Sequence, residues 1–179
     1  MIPKIGRFIP LAILITGLSG LVYWTVQQDI RIGSYEPQIQ MSEDTATRIA
    51  AGEDPKKVIP TGSIDVAKSV APYVIVYDDK GNILASDATL NNQTPKIPQG
   101  VLDYAKANGQ DRVSWQPQGG VRSAIIVTHF SNSKISGSVL AGRSLREPEK
   151  RIDMLGTQVA LGYLVTMLGT FVTILVFAK

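Results

Sequence analysis

The segment PYVIVYDDKGNILASD, residues 72–87, predicts a β-hairpin near the middle of the chain. Residues 73–77 are aromatic and β-branched, which favours a strand, and residues 83–86 supply the returning strand. Between them, DDKGN offers turn chemistry, with Gly81 free to adopt a positive φ. The unbroken apolar run at positions 74–76 is typical of a strand buried on both faces. The first strand of this hairpin is therefore expected to be a central strand of a sheet.

The sequence after the hairpin predicts one short helix and three further strands. The helix covers residues 101–107 and is closed by Asn108 and Gly109. The predicted strands are residues 112–116, 121–130 and 137–144. This order indicates an α+β domain over residues 60–145, with a five-stranded antiparallel sheet and helices gathered on one of its faces.

Outward from this domain, the chain becomes apolar at both ends. Residues 8–26 and residues 155–178 carry no charged side chain. As helices they would reach about 28 Å and about 36 Å, against a hydrocarbon core of about 30 Å. We therefore expect two transmembrane helices that anchor the central domain in a lipid bilayer.

The segments between these parts complete the predicted organisation. Residues 27–59 show helical spacing at Ala46 and Ile49 and predict a helical stalk and loop that rises from the membrane, although a loose polar linker would also fit. Residues 146–154 predict a membrane-proximal helix, and residues 1–7 a short tail.

The distribution of charge predicts an orientation. Lys4 and Arg7 precede the first apolar stretch and Lys179 follows the second, whereas the middle of the chain is neutral overall. Basic residues at span ends favour the cytoplasmic side, so we expect both termini in the cytoplasm and the domain outside the inner membrane. Tyr23 and Trp24 at the outer edge favour a permanent anchor over a cleaved signal peptide. No basic block predicts nucleic-acid binding.

Two segments carry a resemblance to a known family. PYVIVYDDKGNILASD resembles the first hairpin of the extracytoplasmic PAS-like sensor domains, of the single-Cache group, in bacterial histidine kinases and chemoreceptors. SGSVLAGRSLREPEKRID, residues 136–153, resembles the end of such domains, where the last strand passes into a membrane helix. The resemblance implies a dimer whose outer domain senses a small ligand or a physical cue and relays it through the membrane helices to a partner.

Two other interpretations remain open at this point. The chain could be a non-catalytic accessory or scaffold subunit whose spans dock a larger membrane complex. It could also be the sensor fragment of a longer histidine kinase, because no kinase portion follows the second apolar stretch.

The residue types argue against catalysis and favour ligand binding. The chain has one histidine, no cysteine and no G-x-S-x-G turn, so we expect neither an enzyme nor a metal site nor a cofactor. A ligand pocket in a PAS-like domain would lie between the sheet and its covering loops. Aromatic rings with a polar handle and arginine forks suit such a pocket, although packing and solvation also explain them. The candidate lining residues are Tyr77, Trp115, Arg122, His129 and Arg143.

The second apolar stretch carries small residues at helical spacing. Such residues let membrane helices approach closely. We therefore predict packing contacts, whether within the chain, across a homodimer or to another membrane protein, although spans also tolerate these residues without a partner. The candidate packing residues are Gly156, Ala160, Gly162, Thr166, Gly169 and Thr173.

Overall fold

A computed structural model describes residues 4–177, with side chains from residue 6 to residue 177. Residues 1–3 of the predicted tail, the side chain of Lys4, the last residue of the second predicted span (Ala178) and Lys179 lie outside the described residues. The chain divides into two compact units. One is helical and consists of the residues up to Ile32 and from Pro148 onward, and the other is the mixed unit Gly33–Glu147.

In the mixed unit, two helices are followed by four strands, one further helix and three more strands. The helices are α1 Lys4–Gly33, α2 Glu36–Ala50, α3 Pro55–Val58, α4 Gln99–Asn108 and α5 Arg146–Phe177. The strands are β1 Ile64–Asp65, β2 Tyr73–Asp78, β3 Ile83–Ser86, β4 Ala88–Thr89, β5 Gln110–Gln118, β6 Val121–Ser131 and β7 Ser136–Ser144.

The predicted hairpin is confirmed. It consists of β2 and β3, which pair antiparallel, with a register shift between Val76 and Tyr77. The Asp78 carboxylate accepts hydrogen bonds from the backbone N–H groups of Lys80 at 2.9 Å and Asn82 at 2.8 Å. Gly81 adopts φ 79°, a conformation that residues with a Cβ rarely take. Local turn chemistry thus fixes this part of the fold.

The five-stranded antiparallel sheet is also confirmed, and its strand order is β3-β2-β7-β6-β5. The first strand of the hairpin pairs along its whole length with the last strand, from Tyr73 opposite Gly142 to Asp78 opposite Gly137. A separate two-stranded parallel sheet joins β1 to β4. The five-stranded sheet therefore depends on pairing between strands that are distant in the sequence.

The sheet is covered on both faces, so the prediction of helices on one face is wrong. Tyr73, Ile75 and Tyr77 of β2 pack in a cluster with α4, on what we call the α4 face. Val74 and Val76 pack in a second cluster with α2 and α3, on what we call the α2 face. β2 carries apolar side chains on both of its sides. Each face of the sheet must therefore be covered, because an uncovered face would expose these side chains to water.

The predicted stalk over residues 27–59 is replaced by a core helix. α1 continues to Gly33, and α2 begins only two residues after it, with Pro37 in its first turn. Ile49 of α2 is fully buried against the sheet, and the Ser42 hydroxyl lies 2.9 Å from that of Thr128 on β6. The apolar residues at helical spacing, which suggested a free helix, form the side of α2 that packs against the sheet.

The helical unit consists of two helices that are long and apolar enough to cross a membrane. α1 and α5 would extend to about 45 Å and about 48 Å at 1.5 Å per residue, beyond the hydrocarbon core of about 30 Å. The predicted membrane-proximal helix 146–154 and the second span form one continuous helix, α5, described as far as Phe177.

Candidate functional site

The five predicted ligand residues do not converge on one pocket. Side chains alternate along a strand, and Tyr77 and Trp115 belong to the cluster on the α4 face. His129 shares that face because it follows Ile125 and Val127 at alternate positions of β6. Arg122 and Arg143 occupy the other positions of β6 and β7, and so belong to the α2 face.

The two predicted aromatic ligands are core residues. Tyr77 is 1% exposed and Trp115 is 8% exposed. The Tyr77 hydroxyl donates to the backbone carbonyl of Pro95 at 3.2 Å. Burial raises the pKa of Tyr77, against a smaller opposite effect of the Ile97 backbone, so the phenol stays neutral. Both rings thus stabilise the sheet and its covering loop.

A cleft of about 370 Å³ opens in the loop between β4 and α4. The Pro95 carbonyl bound by Tyr77 belongs to its wall, and its tip is a tight turn in which Asn91 and Asn92 have φ of 52° and 62°. Its lining is a nearly even mixture of polar and apolar surface, and its one charged side chain is Lys96. We call this feature the loop cleft. Its lining residues are Leu90, Asn91, Gln93, Thr94, Pro95, Lys96 and Pro117.

Sequence reasoning missed the loop cleft, although a signal for it was present. The pair Asn91-Asn92 tolerates the left-handed conformation better than most residues and therefore marks a tight turn. A volume of about 370 Å³ falls in the range of small-ligand pockets, and an ammonium among amides and backbone groups suits a small carboxylate or another anion.

His129 lies in a polar cluster at the edge of the α4 face. Its Nε2 is 3.3 Å from Oδ1 of Asp79 and 3.3 Å from Oγ of Ser136. Lys106 of α4 reaches the other oxygen of Asp79 at 2.8 Å. A Ser–His–Asp triad needs the serine and the carboxylate on different ring nitrogens, whereas here both contact Nε2. The cluster therefore links the hairpin turn to β6, β7 and α4 without activating Ser136.

We expect Asp79→Asn to lower the stability of the domain at neutral pH but not in acid. The Lys106 ammonium holds the pKa of Asp79 below its ordinary value, against the opposing effect of partial burial. A carboxyl with a lowered folded-state pKa contributes stability above its ordinary pKa and loses it as the pH falls through the lowered value. Thermal unfolding measured from pH 7 downward should show the two proteins converging.

The expected gap at pH 7 is below about 1 kcal/mol, because the pair of Asp79 and Lys106 is partly exposed. Lys106→Met removes the cation and should reproduce both the gap and the convergence. A gap between wild type and Asp79→Asn that persists at low pH would show that Asp79 acts through packing instead.

Residues 142–147, within the second segment that resembles the family, connect the end of β7 to residues 68–70 through two arginine hydrogen bonds. Arg143 Nε donates to the Val70 carbonyl at 3.1 Å, and Arg146 Nη2 donates to the Lys68 carbonyl at 3.0 Å. The Arg143 side chain therefore stabilises the fold here and does not line a pocket with the other predicted ligand residues. We call this pair of contacts the arginine strap, because it holds residues 68–70 to the start of α5.

Contacts between the two apolar helices follow one antiparallel register. The rings of Phe8 and Phe171 meet edge to face at 5.5 Å, and the hydroxyls of Thr16 and Tyr163 are 3.2 Å apart. Near the other end, Tyr23 lies close to Gly156. Among the predicted packing residues, Gly156 thus lies against α1.

Four of the remaining predicted packing residues lie on another side of α5, which we call its small-residue face: Gly162, Thr166, Gly169 and Thr173. A Cβ at Gly162 or Gly169 would meet no atom within 4 Å among the described residues. The hydroxyls of Thr166 and Thr173 donate to backbone carbonyls one turn earlier in α5. Ala160 is exposed, but it lies one turn after Gly156 on the same side of α5 and does not belong to this face. The small-residue face of α5 is therefore separate from the face that contacts α1.

No known family model matches this chain, and no curated protein matches it significantly. Among residues 6–177, no three His, Cys, Asp or Glu side chains lie where they could hold a metal ion together. The function is therefore inferred from the geometry of the chain's own residues.

Proposed function

We propose that this chain is a two-span bacterial inner-membrane protein whose central domain is an extracytoplasmic PAS-like sensor. The observation that carries the proposal is how the domain joins its two apolar helices. Only Ser34 and Tyr35 separate α1 from α2, and only Leu145 separates β7 from α5. Because both joins are this short, we expect a rearrangement of the domain to be passed to the membrane helices.

The sheet supports the PAS-like part of the proposal. β2, the first strand of the hairpin that carries the resemblance, lies between β3 and β7 in the interior of a five-stranded antiparallel sheet. The helix α4 and the loops before it cover one face of that sheet, where such domains hold their ligands. The loop cleft opens on this face.

A continuous set of contacts links the loop cleft to α5. The loop begins after β4, which pairs with β1. Val66, directly after β1, is buried in the cluster on the α4 face. The backbone carbonyls of Lys68 and Val70 then accept the hydrogen bonds of the arginine strap. A ligand that orders the loop would therefore act, through β4 and β1, on the segment that holds the start of α5. The proposed ligand is a small carboxylate or similar anion that pairs with the Lys96 ammonium. The signal would be passed to a second copy of the chain or to another membrane protein.

The orientation can be tested first, because the chain contains no cysteine and so gives no background labelling. Asn92→Cys, at the exposed turn beside the loop cleft, should react with a membrane-impermeant maleimide in intact cells. Arg7→Cys should react only after lysis. The opposite pattern would overturn the extracytoplasmic placement.

Ligand binding is tested on the full chain in lipid nanodiscs with a panel of small carboxylates. We expect at least one to raise the unfolding midpoint of the wild type, and Lys96→Gln to abolish that rise. A panel that shifts neither protein would contradict anion sensing at the loop cleft.

A second candidate function, the accessory subunit, is favoured by the small-residue face of α5. That face remains uncovered by α1 among the described residues, so another membrane helix could pack on it. Under this alternative a membrane protein would co-purify with the wild type but not with Gly169→Leu, and no ligand would stabilise the domain.

A further inference from the structure

The α2 face carries a groove of its own, distinct from the loop cleft. It lies between α2, the segment after α3, and β2, and its volume is about 370 Å³. Its apolar lining consists of Pro37, Met41, Val58, Pro60 and Val74. Val58 and Val74 are buried, so the floor of the groove is part of the second core cluster. An apolar ligand body would be removed from water there, which is favourable by about 25 cal/mol per Å² of buried apolar area.

The groove also has one charged side chain, Asp44. Among residues 6–177, no hydrogen bond or ion pair engages the Asp44 carboxylate. Arg48, one turn later on α2, would be its natural partner. However, Arg48 is paired with Glu53: its Nε and Nη2 donate hydrogen bonds to the Glu53 carboxylate at 3.0 Å and 2.6 Å. The groove therefore combines an apolar floor with an unneutralised negative charge.

We propose that this groove binds an organic ammonium ion with an apolar body, seated on Val58 and Val74 with its charge against Asp44. An anion of the same shape would meet a repulsive carboxylate, and a neutral molecule would lack the ion pair. The site is opposite in charge preference to the loop cleft, where Lys96 favours an anion. It is independent of the proposed sensing function, because it requires neither the membrane orientation nor a ligand on the α4 face.

The test compares three probes of nearly the same shape on the full chain in phosphatidylcholine nanodiscs. The probes are 2-phenylethylamine, 2-phenylethanol and 3-phenylpropanoate. The chain has four methionines, so ¹³C-methyl labelling gives few signals, and Met41→Leu identifies that of Met41 in the groove. We expect a saturable shift of the Met41 methyl with the amine, binding about threefold weaker for the alcohol, and no saturable shift for the carboxylate.

Asp44→Asn should weaken the amine about threefold and leave the alcohol unchanged. Asp103→Asn is the matched control, because Asp103 is an exposed carboxylate on α4 and lies outside the groove. The proposal is overturned if amine and alcohol bind equally, if Asp44→Asn changes nothing, or if Asp103→Asn produces the same loss. Shifts confined to the other methionines would indicate partition into the bilayer and would overturn it too.

Discussion

Replacing Gly137 by alanine is expected to destabilise the mixed unit by about 3 kcal/mol. A Cβ on Gly137 would overlap the backbone carbonyl oxygen of Tyr77 and press on the Cα of Asp78. Because the obstacle is the backbone of β2, no side-chain rotation can relieve it, and the β2–β7 ladder has to separate. Domains of this size are stable by only about 5–15 kcal/mol, so the loss is a large share of the total.

The measurement is thermal unfolding of the full chain in nanodiscs, followed through Trp115, with Trp24→Phe removing the other tryptophan. Gly119→Ala is the control, because a Cβ there meets no atom within 4 Å among the described residues. It should leave the midpoint nearly unchanged. Equal midpoints for Gly137→Ala and Gly119→Ala would show that β2 and β7 are not packed this closely.

Tyr77→Ala should cost about 3–5 kcal/mol, since it empties a buried aromatic site between the sheet and the loop cleft. Tyr77 is 1% exposed and holds Pro95 through its hydroxyl. The variant should therefore also raise amide hydrogen exchange in the loop over residues 90–97, at temperatures where the rest of the sheet remains protected. Hydrogen exchange and thermal unfolding measure the two effects separately.

Two variants separate the contributions of Tyr77. Tyr77→Phe keeps the ring and loses only the hydrogen bond, so it should cost about 1 kcal/mol. Tyr104→Ala removes a tyrosine that is 54% exposed on α4 and should have a much smaller effect than Tyr77→Ala. If Tyr104→Ala were as costly as Tyr77→Ala, burial would not be the cause of the loss.

The features that sequence reasoning predicted correctly depend on neighbouring residues. The hairpin needed only the strand formers on either side of DDKGN and a glycine that accepts positive φ. The turn contacts of Asp78 reach no further than Asn82. The apolar runs that become α1 and α5 are likewise visible in consecutive residues.

The candidate site was predicted less well, because its geometry depends on register. Arg122 and His129 lie on the same strand but on opposite faces, since they are an odd number of positions apart. The sequence could not say which face would receive α4. His129, Asp79 and Ser136 come together only because the turn after β2 lies beside β6 and β7.

The local order of residues by itself determined the hairpin and the two apolar helices, because each follows from interactions within a few positions of the chain. Tertiary structure alone decided that α2 is a core helix, that Arg143 and Arg146 bind residues 68–70 to the end of β7 and the start of α5, and that α1 contacts Gly156 but not Gly169. These outcomes depend on which apolar face finds which partner, and burial of apolar surface is non-directional until register and close packing select one arrangement.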